Sequence, residues 1–178
     1  MKSSRCADCR SLRCGGTRCR GMRKPEAGRT ADFSAALAGN PNCGKTTLFN
    51  ALTGGRMRTG NWPGVTVERR DGLFRGDGFT AAICDLPGIY DIRSPLAEEK
   101  AAREFIAGDE CDVIINIADA ASLERSLFLT LNLLSLGKGM ILAVNMTDTL
   151  KKRGLSLDCR RLSALLGIPV IPICALSG

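Results

Sequence analysis

Short apolar runs alternate with amphipathic segments along the chain between residues 33 and 174. Bounded by turn signals, these runs predict strands near 33–38, 65–74, 79–85, 112–118, 140–145 and 169–174. The segments between them predict helices near 45–53, 96–107, 122–136 and 157–166. In the third helix, the residues that recur at helical spacing and are expected to face the core are Leu123, Leu127, Thr130, Leu131 and Leu134.

One connection differs from the others. The turn signal Arg75-Gly76-Asp77-Gly78 joins the second and third strands and predicts an antiparallel hairpin. The remaining connections pass through helices and predict parallel pairing. We therefore predict an α/β fold of three layers, with a mostly parallel six-stranded sheet, one antiparallel edge strand and ligand loops at the carboxyl ends of the strands. A sheet of this type usually has another helix over its last strand, so truncation at the C-terminus is expected.

Composition and charge divide the chain into two parts. The 44% hydrophobic fraction suits a globular domain, and neither a membrane-length apolar stretch nor a signal peptide is recognisable. Residues 1–30 hold nine basic and two acidic residues, which accounts for the whole net charge of +7. We expect residues 1–31 to be a basic, Cys-rich tail and residues 32–178 to be the domain. Because this domain is neutral overall, no nucleic-acid partner is expected.

The tail contains the cysteines Cys6, Cys9, Cys14 and Cys19. Four thiolates in so short a span would suit Zn²⁺ or an iron–sulfur cluster. Their spacing does not match the usual zinc ribbon, so a disordered or mistranslated leader, with Met22 as the natural start, is the alternative. The arginines of the tail would equally suit anionic lipid headgroups. The odd cysteine total of nine favours reduced thiols in a cytosolic compartment, and the absence of histidine excludes His-based catalysis and His-ligated metals.

Residues 39–46 read Gly-Asn-Pro-Asn-Cys-Gly-Lys-Thr and fit the phosphate-binding pattern G-x-x-x-x-G-K-[ST]. Glycines allow the tight turn that aims backbone N–H groups at an anion. Lys45 would supply positive charge to the β- and γ-phosphates, and Thr46 a hydroxyl to Mg²⁺. The following helix would point its N-terminus at the phosphates. The expected nucleotide-binding residues here are Gly39, Asn40, Pro41, Asn42, Cys43, Gly44, Lys45, Thr46 and Thr47.

Two further segments fall where a nucleotide switch needs them. Asp85 begins a D-x-x-G segment at the end of the third strand, where it would hold Mg²⁺, while the N–H of Gly88 would reach a γ-phosphate. Gly64, Val65 and Thr66 lie between the first helix and the second strand. Thr66 is placed to be a second Mg²⁺ ligand that orders only when a γ-phosphate is present. Lys45, Thr66 and Gly88 are therefore candidate catalytic residues.

Two loops are candidates for contact with the base. Asn145-Met146-Thr147-Asp148 follows an apolar strand. The Asp148 carboxylate would accept two hydrogen bonds from guanine, which adenine cannot supply, and Asn145 would tie this loop to the phosphate loop. Simple turn capping is the alternative role for these side chains. After the last strand, Cys174, Ala175 and Leu176 would contact the base through backbone N–H groups.

The segments G-N-P-N-C-G-K-T-T-L-F-N, N-W-P-G-V-T-V-E, D-L-P-G-I-Y and N-M-T-D together resemble the G domain of the FeoB ferrous iron transporters. The resemblance covers about residues 33–178 and implies a Ras-like P-loop GTPase. Members of this family carry a cytoplasmic GTPase domain, a small helical domain that slows GDP release, and a membrane region that handles Fe²⁺. Iron is suggested by the resemblance alone.

The resemblance also implies how hydrolysis proceeds. Ile89 stands where Ras-like enzymes place a water-orienting glutamine, and a hydrophobic side chain cannot polarise water. Similar GTPases rely on backbone groups and a bound K⁺, which Asn42 would ligate, making Asn42 a fourth catalytic candidate. Bonding within the loop is the alternative role for Asn42.

Three positions depart from common GTPase patterns. Met146 replaces a lysine that stacks over the base, so weaker affinity for guanine nucleotides is expected. Cys174 replaces Ser or Thr, so looser contacts to the base are expected. Cys43 lies in the phosphate loop beside an anion site and is a candidate for oxidation.

The resulting prediction is a GTPase that uses Mg²⁺ and K⁺ and acts as the cytoplasmic switch of a ferrous iron transporter. Its expected place is the cytoplasmic face of the bacterial inner membrane. The expected partners are guanine nucleotide and the helical and transmembrane regions of the parent protein, with a homo-oligomer as a further candidate. The alternatives are a soluble ribosome- or tRNA-associated GTPase and a non-catalytic nucleotide-binding module with a metal-sensing tail.

Overall fold

The computed structural model describes residues 31–63 and 66–175. The Cys6, Cys9, Cys14 and Cys19 cluster, Gly64, Val65 and Leu176 therefore lie outside the described residues. The strands are β1 (Phe33–Gly39), β2 (Met57–Asn61), β3 (Glu68–Gly76), β4 (Phe79–Asp85), β5 (Val113–Asp119), β6 (Gly139–Asn145) and β7 (Val170–Pro172). The helices are α1 (Lys45–Thr53), α2 (Ala97–Ala107), α3 (Leu123–Leu134), α4 (Thr147–Lys152) and α5 (Cys159–Leu166).

The described strands form one seven-stranded sheet in the order β2-β3-β4-β1-β5-β6-β7. The pairs from β4 to β7 are parallel, whereas β2–β3 and β3–β4 are antiparallel. The predicted parallel sheet and the β3–β4 hairpin are confirmed. The prediction of six strands with one antiparallel edge strand was wrong in count, because β2 pairs antiparallel with β3 and forms the edge of the sheet in its place.

Strand β2 shows neither the apolar run nor the alternation of apolar and polar residues by which strands are predicted. Its sequence is Met-Arg-Thr-Gly-Asn and all five residues are exposed. It is a strand because its backbone pairs with β3, in a register that sets Met57 opposite Gly72 and Asn61 opposite Glu68. An edge strand of this kind needs no buried face, so hydrophobic periodicity does not reveal it.

Helix α3 was predicted at the right place, and of the five residues expected to face the core only Leu131 does not. Leu129, Thr130 and Leu133 are fully buried, whereas Leu131 is 57% exposed. Leu123, Leu127 and Leu134 are half-buried against the core. The helix is apolar on nearly every side (Leu-Phe-Leu-Thr-Leu-Asn-Leu-Leu, residues 127–134), so its spacing does not select one face.

The parallel strands bring their carboxyl ends to one edge of the sheet. The loops that follow β1, β4, β6 and β7 meet there. Every candidate site residue that the structure describes, except Thr66, lies in these loops or at the ends of the strands and helices that they join. Helix α4, which was not predicted, starts directly after β6 and carries Asp148 in its first turn. No helix within residues 31–63 and 66–175 is long and apolar enough to cross a membrane.

Candidate functional site

The phosphate-binding loop has the backbone shape that its sequence requires. Gly44 has φ 93° and Asn42 has φ 65°, both in the left-handed region. A side chain at Gly44 would collide with the amide of Asn145, and one at Gly39 would lie 2.7 Å from both Cys43 Sγ and the Ile117 carbonyl oxygen. Gly44 is therefore required both by its backbone conformation and by the closeness of Asn145, and Gly39 by the closeness of its neighbours.

Helix α1 begins at Lys45, and no side chain caps its N-terminus. The first N–H groups of a helix have no partner within the helix, and its dipole makes this end attractive to anions. The loop and the helix therefore present an anion site of the kind that binds phosphate.

Asp85 joins the phosphate loop to the end of β4. Lys45 Nζ lies 2.7 Å from Asp85 Oδ1, and the two side chains are 11% and 7% exposed. Thr46 Oγ1 donates to Asp85 Oδ2 at 3.3 Å. A hydroxyl and a carboxylate thus converge beside the loop, and hard oxygen ligands are those that Mg²⁺ prefers. The residues present fit a magnesium ion held by Thr46 and Asp85.

Asn145 connects three loops through its buried side chain, which is 4% exposed. Its Nδ2 donates to the Cys43 carbonyl at 2.9 Å, and its Oδ1 accepts from the Ala175 N–H at 3.1 Å. The predicted tie between Asn145 and the phosphate loop is present, and the tie to Ala175 was not foreseen. The side chain of Asn145 therefore fixes the loop after β7 in position next to the phosphate loop.

These loops enclose a cavity of about 360 Å³. Its lining residues are Asn40, Asn42, Gly44, Lys45, Thr46, Thr47, Asn145, Met146, Asp148, Cys174 and Ala175. The cavity runs from the phosphate loop to Asp148, whose side chain is 53% exposed and lies 3.7 Å from Lys152 Nζ. Residues of the phosphate loop and Asp148 thus line the same cavity, as a ligand with a phosphate end and a base end would require.

Asn40 gives an independent sign of a ligand. The residue is 7% exposed, and neither its Nδ2 nor its Oδ1 has a hydrogen-bond partner in the described structure. Burying an amide without a partner is costly, so native structures rarely leave one unsatisfied. A ligand, or water held by one, would satisfy this amide at the cavity wall.

Other predicted site residues lie around the cavity rather than in its lining. Gly88 approaches the phosphate loop closely, because a side chain there would lie 3.1 Å from Pro41 Cγ. Ile89 is fully buried and donates its N–H to the Gly39 carbonyl at 3.2 Å. Its side chain thus belongs to the core. Thr66 is exposed in the loop between β2 and β3.

Cys43 is buried at 1% exposure beneath the loop. Burial raises the pKa of its thiol above the ordinary value, and the charge of Lys45 only partly offsets this. A protonated, inaccessible thiol is a poor nucleophile. The expectation that Cys43 is sensitive to oxidation is therefore not supported by its surroundings.

Trp62 and Arg69 were not singled out from the sequence, although Trp62 is the only tryptophan of the chain. Trp62 is 3% exposed, and the Arg69 guanidinium carbon lies 5.0 Å from the centre of its ring. Both residues flank the loop that carries Thr66. A single large aromatic residue in a loop sequence that is otherwise rich in polar residues and glycine could have indicated a buried contact at Trp62.

Comparisons with known proteins identify the family of this chain. The family model described as ferrous iron transport protein B matches residues 33–178. The Fe(2+) transporter FeoB of Legionella pneumophila is 49% identical over 143 residues, which are 78% of this chain and 19% of that protein. The Fe(2+) transporter FeoB of Escherichia coli (strain K12) is 48% identical over 151 residues, 82% of this chain and 19% of that protein. The chain thus spans about a fifth of the length of these relatives.

Solved structures give the same result. A mutant of the S. thermophilus NFeoB domain bound to GDP is 45% identical with a TM-score of 0.77, over 81% of this chain and 56% of that one. The G domain of the T. maritima FeoB iron transporter is 42% identical with a TM-score of 0.76, over 82% of this chain and 89% of that one. The Ras-like P-loop GTPase fold is confirmed, and the chain belongs to the FeoB family, in which it corresponds to the N-terminal G domain.

Proposed function

We propose that this chain binds GTP with Mg²⁺ and hydrolyses it, acting as the nucleotide switch of a ferrous iron transporter. The observation that carries the proposal is that the phosphate loop, the Asp85 carboxylate and the Asn145–Asp148 loop line or border one cavity. The S. thermophilus relative, 45% identical, was solved with GDP. Family membership favours this function over a ribosome-associated GTPase or a non-catalytic module.

The phosphates would lie against the loop amides and the N-terminus of α1. Lys45 Nζ, which contacts Asp85 at 2.7 Å, would turn to the β- and γ-phosphates when they enter. This exchange keeps the lysine paired with negative charge in both states and releases the Asp85 carboxylate. Thr46, Asp85 and Thr66 would hold Mg²⁺, which neutralises phosphate charge when bound.

Guanine would be selected at the other end of the cavity. Asp148 lies in the first turn of α4, which starts directly after the left-handed Met146 (φ 60°). Its exposed carboxylate, 3.7 Å from Lys152 Nζ, would accept from the base edge. Asn145 orients this loop through its bonds to Cys43 and Ala175. The Met146 side chain would give the base an apolar contact in place of a lysine stem, and Cys174 and Ala175 line the same end.

Hydrolysis would depend on backbone groups and a monovalent cation. Because Ile89 is buried in the core, it offers no polar group to orient water. The Gly88 N–H would bind the γ-phosphate. Asn42 lies exposed at the tip of the phosphate loop and lines the cavity, where its amide oxygen suits a K⁺ ion. A K⁺ ion there would supply positive charge of the kind that an arginine finger provides in other GTPases.

The role in the whole protein follows from the family. We propose that residues 32–178 form the G domain, on the cytoplasmic face of the bacterial inner membrane, and that residues 1–31 form a separate tail with a candidate metal site. The G domain would report its nucleotide state to helical and transmembrane regions that handle Fe²⁺, and self-association into a homo-oligomer is a further proposal. The whole transport activity lies beyond the fifth of the relatives' length that this chain spans.

The test is phosphate release from GTP and from ATP, in K⁺ buffer and in Na⁺ buffer. We expect turnover of GTP only, faster in K⁺, and loss of the K⁺ stimulation in Asn42→Ala. Asn50→Ala is the matched control, since Asn50 is exposed on α1 and does not line the cavity. Asp148→Ala should allow other bases to compete. Equal rates in both salts would remove the role of Asn42, and equal use of ATP would remove the guanine assignment.

A further inference from the structure

Trp62 is buried although it directly follows the fully exposed strand β2. It is 3% exposed, although its neighbours Asn61 and Pro63 are exposed. Its indole packs edge-on against the ring of Phe105 in α2, with ring centres 5.4 Å apart at an angle of 85°. Edge-to-face pairs of this geometry are favourable beyond the area that they bury.

Arg69 of β3 completes the contact. Its guanidinium carbon lies 5.0 Å from the centre of the Trp62 ring and 5.1 Å from that of Phe105. Asp71 accepts from Arg69 Nε at 2.8 Å, and Glu110 lies 3.5 Å from Arg69 Nη2. Two carboxylates therefore orient the guanidinium against both rings, where a cation is attracted to aromatic faces. We name Trp62, Arg69 and Phe105 the Trp62 clasp.

The clasp lies at the ends of the loop that carries Thr66. The backbone N–H of Trp62 donates to the Val67 carbonyl at 3.0 Å, and Val67 packs against the same core cluster as Trp62. Both ends of the loop are thus attached to the core, and only residues 63–66 lie between them. Consecutive Cα atoms are about 3.8 Å apart, so the position of Val67 limits where Thr66 can reach.

We infer that the Trp62 clasp is the fixed anchor of the switch loop and that Trp62, Arg69 and Phe105 are positioning residues acting through Thr66. The clasp stays closed in the GDP and GTP states, and Thr66 reaches Mg²⁺ from the end of the loop that Val67 holds against the core. Because Phe105 belongs to α2, the anchor also joins the Thr66 loop to the helix that follows the Asp85–Gly88 loop. This inference rests on the proposed function.

Intrinsic fluorescence tests whether the clasp stays closed, because Trp62 is the only tryptophan. The full chain is measured without nucleotide, with GDP and Mg²⁺, and with a non-hydrolysable GTP analogue and Mg²⁺. We expect an emission maximum typical of a buried indole in all three states. A red shift with the GTP analogue would mean that the clasp opens, and would overturn the inference.

Affinities test whether the clasp positions Thr66. The dissociation constants of labelled GDP and of the labelled GTP analogue are measured for Trp62→Ala, Trp62→Phe and Arg69→Gln. We expect Trp62→Ala to weaken binding of the GTP analogue about tenfold and to lower kcat, with GDP affinity unchanged within about twofold. Trp62→Phe, which keeps an aromatic ring for Arg69, should recover most of the loss, and Arg69→Gln should reproduce part of it.

Phe79→Leu is the matched control. Phe79 also belongs to an aromatic cluster, with Phe33 at 5.6 Å and Phe74 at 5.8 Å, but it lies away from the loop. The control should change neither affinity. Equal losses for GDP and the GTP analogue in Trp62→Phe and Arg69→Gln would show a merely structural role and overturn the inference while guanine binding stands. If the unaltered chain binds no GDP, the proposed function fails and the inference fails with it.

Discussion

Two groups of loops lie at the carboxyl edge of the sheet and are held in different ways. The phosphate loop is joined to the loops after β6 and β7 by the buried side chain of Asn145, and to β4 by the buried Lys45–Asp85 pair. The loop with Thr66 instead follows β2, whose five residues are all exposed. Its attachment to the core within the described structure is made by Trp62 and Val67.

The difference suggests which part of the site is ready before nucleotide binds. Segments held by buried polar contacts open only at high free energy, whereas exposed edge segments open at low free energy. On the proposed function, GDP would need mainly the first group, and the γ-phosphate would recruit the second. On that proposal, the contacts of the first group are already made without nucleotide, whereas Thr66, which is exposed, would still have to reach Mg²⁺.

The largest effect is expected at the Lys45–Asp85 pair. Replacing Lys45 with Met leaves the Asp85 carboxylate, only 7% exposed, without its charged partner and with only the Thr46 hydroxyl as a donor in the described structure. Removing one member of a buried pair typically costs about 3 kcal/mol or more. We expect the free energy of unfolding of the nucleotide-free chain to fall by about that amount, measured by urea denaturation, together with loss of GDP binding.

The double variant Lys45→Met/Asp85→Asn separates charge burial from packing. It removes the unpaired carboxylate and should recover most of the lost stability while leaving GDP binding abolished. If the double variant is as unstable as the single one, the loss comes from packing around Lys45 and not from the buried charge.

The second effect concerns Asn145. Asn145→Ala removes the bonds to Cys43 and Ala175 and should lower GDP affinity and the free energy of unfolding, the latter by about 1–3 kcal/mol. Asn116→Ala is the control, since Asn116 is also buried and donates to Thr130 at 2.7 Å but does not line the cavity. The control should lose stability alone. A similar loss of GDP affinity in both variants would mean that Asn145 acts only through general stability.

Much of the first group of loops could be predicted from the sequence because its geometry is local. The phosphate loop is set by glycines and a helix start within eight consecutive residues, 39–46. Strands β1, β4, β5 and β6 are buried apolar runs, and their carboxyl ends must meet once the sheet is parallel. The meeting of the phosphate loop and the Asp85–Gly88 segment at one edge followed from motif order and strand direction together, whereas the Lys45–Asp85 ion pair was not predicted.

The contacts of β2 and of the loop with Thr66 could not be predicted, because they join residues that are distant in sequence and show no hydrophobic periodicity. Strand β2 exists through backbone pairing with β3, and the Arg69 guanidinium meets Trp62 and Phe105 only in the folded chain. The exposure of Leu131 in α3 was missed for a different reason. Its residues are apolar on several sides, so the exposure of Leu131 depends on what packs around the helix.

The third effect is a loss of stability in alkali. Burial raises the pKa of Cys43, Cys84 and Cys111, and for Cys84 the nearby Asp71 carboxylate raises it further. Below the ordinary thiol pKa, about 8.5, both folded and unfolded chains keep these protons. Above it, only the unfolded chain ionises, so stability falls as pH rises, by up to about 1.4 kcal/mol per pH unit for each thiol.

Urea denaturation between pH 7 and pH 10 measures this decline. Cys84→Ala should decline less steeply than the unaltered chain, because one of the buried thiols no longer titrates. An identical slope in both proteins would mean that Cys84 ionises as readily in the folded chain as in the unfolded one.

The smallest effect is expected at the β2–β3 edge of the sheet. The Arg70–Glu68 ion pair there has the same length as the buried Lys45–Asp85 pair. Arg70 Nη2 lies 2.7 Å from Glu68 Oε2, the distance that separates Lys45 Nζ from Asp85 Oδ1, but these side chains are 32% and 46% exposed. Water and salt screen such a pair, so Arg70→Gln should change the free energy of unfolding by less than about 0.5 kcal/mol and leave GDP affinity unchanged. A loss as large as that of Lys45→Met would mean that the β2–β3 edge stabilises the fold as strongly as the phosphate loop does, and the contrast between the two groups of loops would be lost.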